Sequence, residues 1–147
     1  MTRRRGDDGT AIVEFVWLSV LLLIPLVYVV LGVFETQRTA FAASTAARSA
    51  GRAFITSPSE AAARSRAEQA ARLAFADQWL SGGPMRLAVR CAPDPTNCLA
   101  PGSVITAEVH SSVPLPLFPL IMGRHAPRIE VASVHSSPYG TFREDRP

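Results

Sequence analysis

Between Glu14 and Glu35 lies a run of twenty residues, Phe15–Phe34, without a charged side chain. No other feature constrains the chain as strongly. At about 1.5 Å per residue the run makes a helix of roughly 30 Å, the thickness of a bilayer's hydrocarbon core. Most of its residues are Leu, Val and Ile, each favouring insertion by a few tenths of a kcal/mol. Ser19 can return its hydroxyl to the backbone. Pro25 removes one helical hydrogen bond and is expected to kink the axis, which membrane helices tolerate. A buried core helix is the competing reading, but it needs surrounding elements that a chain of 147 residues does not supply. The hydrophobic content of 48% is thus concentrated in one block, which sets the chain apart from a freely soluble cytosolic enzyme.

The flanks give an orientation. Arg3, Arg4 and Arg5 precede the run, and the positive-inside rule keeps that short end in the cytoplasm, with everything after Glu35 outside. Arg38, Arg48 and Arg52 follow the run and weaken the asymmetry. A cleavable secretory signal is the alternative, because Ala40-Phe41-Ala42 is an Ala-x-Ala site. Against removal after Ala42 stands the length of the apolar run, which exceeds the roughly 7–15 residues of a signal peptide.

Glu14 is the most informative residue. It stands at the edge of the apolar run in Gly9-Thr10-Ala11-Ile12-Val13-Glu14-Phe15. Acids near a helix N-terminus complement the helix dipole, which would account for Asp7, Asp8 and Glu14 alike but not for their order. This N-terminal pattern resembles the TadE/TadG-like family of the tight-adherence (Flp) pilus machinery: a Gly, small residues, Val-Glu-Phe and a long apolar run. The resemblance continues in Glu35-Thr36-Gln37-Arg38, Phe41-Ala42 and Ala46-Ala47-Arg48, and more diffusely in the Val-rich strands and Pro-Leu turn of the C-terminal half. It implies a pseudopilin or minor pilin beside a type IV-like pilus or secretion system, working by helix packing with other pilin-like subunits. It also implies a possible substrate of a prepilin peptidase: a cut after Gly9 would make Thr10 the new N-terminus and Glu14 the fifth mature residue. A glutamate there would offset the amino terminus of a neighbouring subunit, since opposite charges at the rim of a low-dielectric medium cost less together than apart.

Beyond the run the composition turns to Ala, Thr, Ser and Arg, which favours a helical stalk over residues 35–56. Ala42, Ala43, Ala46, Ala47 and Ala50 permit a neighbouring helix to approach closely, and Gly51 and Thr56-Ser57-Pro58 are expected to break the run. Ser57-Pro58-Ser59-Glu60 reads as a capping box starting a second helix, Ser57–Leu80, in which Glu60 meets Arg64. Leu73, Ala76 and Leu80, with Phe75 and Trp79 beside them, form its apolar arc, and Gly82-Gly83-Pro84 stops it.

Three strands are predicted by period-two alternation: Met85, Leu87, Val89 and Cys91; Ile105, Ala107 and Val109; and, less cleanly, Ile129, Val131 and Ser133. The segment from Pro114 to Met122 is too rich in proline for helix or strand. It either lids the core or touches membrane or partner. Cys91 and Cys98, the only cysteines, read as one disulfide on the outer side, which would contribute about 2–3 kcal/mol. A zinc site on the same pair would need His110 or His125 to converge on it. The tail Ser136–Pro147 reads as polar and frayed.

No phosphate loop, nucleophile elbow or His-Glu-x-x-His motif is present. His110, His125 and His135 stand alone in the sequence, while Glu108 and Glu130 can face each other across strands. The expectation is therefore a protein without enzymatic activity, cofactor or metal. A net charge of +3, with three arginines in the flank before the run, gives no support to nucleic-acid binding. The expected architecture is α+β: a cytoplasmic flank 1–9, a transmembrane helix 10–34, a stalk 35–56, a small extracytoplasmic domain 57–140 with a helix packed on an antiparallel sheet, and a tail 141–147. Its partners would be the lipid bilayer and other pilus subunits. A membrane-anchored extracytoplasmic ligand-binding module is the alternative.

Overall fold

The computed structural model describes residues 8–78, 84–114 and 127–146. Its elements are two helices, α1 (Asp8–Ile55) and α2 (Glu60–Ala76), followed by strands β1 (Met85–Ala92), β2 (Val104–Pro114) and β3 (Arg128–Pro138). The strands form one antiparallel sheet in the order β1-β2-β3. This is an α+β fold with a long apolar N-terminal helix. The chain divides into two compact units, one ending at Phe34 and the other beginning at Glu35.

In the first unit α1 runs without interruption through Pro25. Its large apolar side chains, from Ile12 to Phe34, are exposed, and the helix is long and apolar enough to cross a membrane. An exposed apolar helix of this length fits a membrane anchor.

In the second unit α1 carries a different face. Thr39, Ala42, Ala43, Ala46, Ala47, Ala50 and Phe54 recur at helical spacing and are buried. The stalk is therefore a core element of the folded unit, because a stripe of methyl groups lets protein close in on the backbone. Gly51 does not break the helix. A Cβ on Gly51 would sit 2.6 Å from Ser137 Oγ and 3.5 Å from His135 Cδ2, so its bare backbone is what lets α1 lie directly on β3.

The second helix is shorter than its predicted span. Its N-cap is Ser59, in extended conformation, whose hydroxyl accepts from the Ala62 N–H. Ser57 is spent on the previous helix instead, donating to the Ala53 carbonyl at 2.7 Å. Glu60 becomes the first helical residue, where its charge suits the dipole, and pairs with Arg64 at 2.8 Å as the spacing suggests. The buried face is Ala63, Ala67, Ala71 and Phe75, spaced four apart. Leu73, placed in the apolar arc by its spacing, is exposed, because the arc is set by alanines too small to stand out in the sequence. Leu80 and Trp79 lie outside the described residues.

The strands alternate as predicted. In β2 Ile105, Ala107, Val109, Ser111 and Val113 point to the helices and the intervening residues point away. In β3 Val131 and Ser137 are buried on that same side. Met85, Leu87, Val89 and Cys91 of β1 are half-buried against the same core. With α2 packed on β1 and α1 on β3, both helices cover one face of the sheet and leave the other to solvent.

The tail is docked rather than frayed. β3 continues to Pro138, and Tyr139 beyond it is buried, its hydroxyl donating to the Glu144 carbonyl at 2.8 Å. Arg143 stacks over the Tyr139 ring and donates to the Ile55 carbonyl at 2.7 Å, while Arg146 donates to the Ser57 carbonyl at 3.2 Å. Two cations thus occupy carbonyls left over where α1 ends, the position the helix dipole favours.

Candidate functional site

The sequence points to two groups of residues, and each falls in a different unit. Gly9 and Thr10 form part of the first turn of α1, and Glu14 follows Thr10 by four residues, one turn along the helix. Glu14 is exposed and, among the described residues, no side chain pairs with its carboxylate. Phe15 next to it is 70% exposed. A single carboxylate therefore opens an apolar surface about twenty residues long. In hydrocarbon such a charge is costly unless an opposite charge meets it. Further along, Trp17, Val20, Leu21, Ile24 and Pro25 line an apolar notch of about 320 Å³.

In the second unit Cys91 and Cys98 form a disulfide, with Cα atoms 5.3 Å apart. Both sulfurs are committed to each other, so the zinc alternative on this pair falls away. The bridge ties the end of β1 to the turn before β2. Within that turn the Thr96 hydroxyl and N–H both donate to Asp94 Oδ1, at 2.7 and 2.8 Å, and hold its carboxyl below the usual carboxylate range. Cys98 is buried, and its N–H donates to Glu60 Oε2 at 3.4 Å, so one glutamate joins the start of α2 to the bridged turn.

The solvent face of the sheet carries the remaining polar chemistry. Glu108 and Glu130 do not oppose each other: Glu108 stands across from Val134 and Glu130 across from Ser112. Glu108 instead has His110 Nε2 2.9 Å from its Oε1 and lies 3.9 Å from Arg90. Among the described residues no three His, Cys, Asp or Glu side chains converge as metal ligands. His125 and the Pro-Leu segment after Pro114 lie outside the described residues.

No protein-family model matches the chain, and no curated protein or solved structure shows significant similarity to it. The site has to be argued from its own geometry.

At one end of the solvent face the three strands form a groove of about 550 Å³ lined by Pro84, Arg86, His110, Ser112, Arg128 and Glu130, with Ser111 beneath. Arg86 stands directly across from His110, and Arg128 reaches Ser112 Oγ at 3.4 Å. A second cavity, lined by Glu35, Thr39, Phe75, Pro84, Ser111, Ser112, Val113 and Pro114, adjoins the groove and shares Pro84, Ser111 and Ser112 with it. Sequence reasoning did not bring Arg86 and Arg128 together. They are 42 residues apart, and only the register of β1 and β3 around β2 places them on one surface. The alternation of each strand did put both arginines on the solvent side.

Proposed function

We propose that this chain is a single-pass membrane protein of the TadE-like, pseudopilin or minor-pilin type, acting by helix packing in a tight-adherence (Flp, type IV-like) pilus or secretion system. The observation that carries the reading is Glu14, without a charge partner among the described residues, at the head of an exposed apolar helix that continues into a folded unit. In this reading the N-terminal arginines hold the start of α1 in the cytoplasm, and the sheet unit with its disulfide lies outside, where an oxidising environment keeps Cys91 and Cys98 bonded. Glu14 meets the amino terminus of a neighbouring subunit in the bilayer, released at Thr10 by a prepilin peptidase acting after Gly9.

Two measurements test it. Glu14→Ala is expected to leave membrane insertion and protein level unchanged while pilus assembly is lost; normal piliation in that variant would refute the packing role. Mass spectrometry of the mature N-terminus is expected to find Thr10 first, whereas an intact start indicates a plain anchor and Ala43 a secreted protein. The groove over Arg86 and Arg128 favours a second reading, a membrane-anchored module that holds a ligand on its sheet.

A further inference from the structure

We propose that the groove between Arg86 and Arg128 seats the phosphate of an anionic phospholipid. The inference rests on the reading that α1 crosses the membrane as far as Phe34.

Glu35 is the first residue after the apolar run, so the residues of the unit around Glu35 are within reach of lipid headgroups by chain connectivity. Glu35 lines the cavity that shares Pro84, Ser111 and Ser112 with the groove. The groove thus lies close to Glu35 through residues of that unit alone. Arg38, one turn beyond Glu35, donates from Nε to the Gln78 carbonyl at 2.8 Å and offsets the charge of Glu35 at this end.

The chemistry of the lining then selects the ligand. Arg86 and Arg128 are exposed, and neither forms an ion pair among the described residues. Guanidinium groups present planar arrays of N–H donors that match phosphate oxygens, and they are weakly hydrated, so a phosphate can replace their water at modest cost. Ser112 places a hydroxyl between them, held at 3.4 Å from Arg128 Nη1. His110 also lines the groove, with its Nε2 2.9 Å from Glu108 Oε1. The groove's one carboxylate, Glu130, opposes the anion. Two guanidiniums against one carboxylate leave a site that a single phosphate charge neutralises, which suits a phosphodiester such as that of phosphatidylglycerol.

The test uses the full chain in nanodiscs of phosphatidylcholine with and without a minor fraction of phosphatidylglycerol, with native mass spectrometry counting the lipids that stay bound. Wild type is expected to retain phosphatidylglycerol above its share of the bilayer. Each of Arg86→Gln and Arg128→Gln is expected to lower that retention about fivefold, in line with the contribution of one basic residue at a membrane surface. Glu130→Gln is expected to raise retention, and this gain keeps the test decisive if an arginine variant folds poorly, as read by loss of the Cys91–Cys98 bond. Equal retention in wild type and all three variants overturns the proposal. Displacement of the lipid by inorganic phosphate at low concentration assigns the groove to a soluble anion and overturns the lipid assignment. Failure of the chain to enter nanodiscs at all refutes the spanning helix and the lipid seat together, whereas entry without a lipid preference refutes only the seat.

Discussion

The two halves of α1 are one helix built for two surroundings. From Phe15 to Phe34 the side chains are uncharged, mostly large and mostly exposed; Leu22 is 66% accessible. From Thr39 to Phe54 the inward side chains are mostly alanine and wholly buried; Ala46 has no accessible surface. Hydrophobicity taken alone would rank the halves the other way, with Leu inside and Ala outside. Size resolves it. Lipid tails adapt to any apolar shape, so a spanning segment gains from bulk. A sheet or helix has a fixed surface, so the packed segment gains from methyl groups that let the backbones approach. Burial in this chain follows the need for a close fit, while apolar bulk marks the part that awaits a solvent other than water.

The strongest way to break that contrast is to place a charge in the first half. Leu22→Arg is expected to cost about 3 kcal/mol of membrane insertion, the difference between the two residues near the centre of a span. Carbonate-resistant membrane association should fall sharply, while the unit from Glu35 onward, studied in detergent, keeps its wild-type thermal transition. If that transition falls as well, the exposed half supports the folded unit and the division at Phe34 is not an energetic one.

The reciprocal experiment overfills the second half. Ala46→Leu pushes extra carbon atoms into a site with no room and is expected to destabilise the sheet unit by about 2 kcal/mol, while membrane association is unchanged. Enlarging an exposed residue of the first half, Val29→Leu, should alter neither property. Tolerance of Ala46→Leu would mean that the alanine face is plastic and that smallness there has another cause.

These contrasts also mark what the sequence could reveal. The apolar run, the period-two strands, the Glu60–Arg64 pair and the α+β class were legible because each repeats a local pattern that physics ties to one geometry. The same patterns put Ile105, Ala107 and Val109 on the covered side of β2. What escaped depended on distant residues. Ser59 caps α2 because Ser57 is held by Ala53, and the docked tail depends on Arg143 and Arg146 finding carbonyls nearly ninety positions earlier. The alanine faces were read as open to a neighbour because nothing local says that the partner is the chain's own sheet. Glu14 was conspicuous for the opposite reason, as a charge where the local pattern forbids one; the Arg86–Arg128 groove needed the strand register.

The finest test of the packed half is Gly51, which local rules treat as a helix breaker. Two effects oppose each other there. Replacing glycine by alanine in a helix interior stabilises by about 1 kcal/mol, because the unfolded chain loses freedom. The added methyl would stand 2.6 Å from Ser137 Oγ, so that hydroxyl must rotate or the strand must shift, which costs about as much. Gly51→Ala alone is therefore expected to change the thermal stability of the unit very little. In a Ser137→Ala background the obstructing oxygen is gone, and the same substitution should stabilise by nearly the full helical gain. The coupling between the two sites, about 1 kcal/mol, is then the energetic measure of how closely α1 lies on β3. Strict additivity would show that the approach at Gly51 has slack. The glycine would then be a tolerated defect of the helix, and the fit that distinguishes the second half of α1 would have to come from its alanines alone.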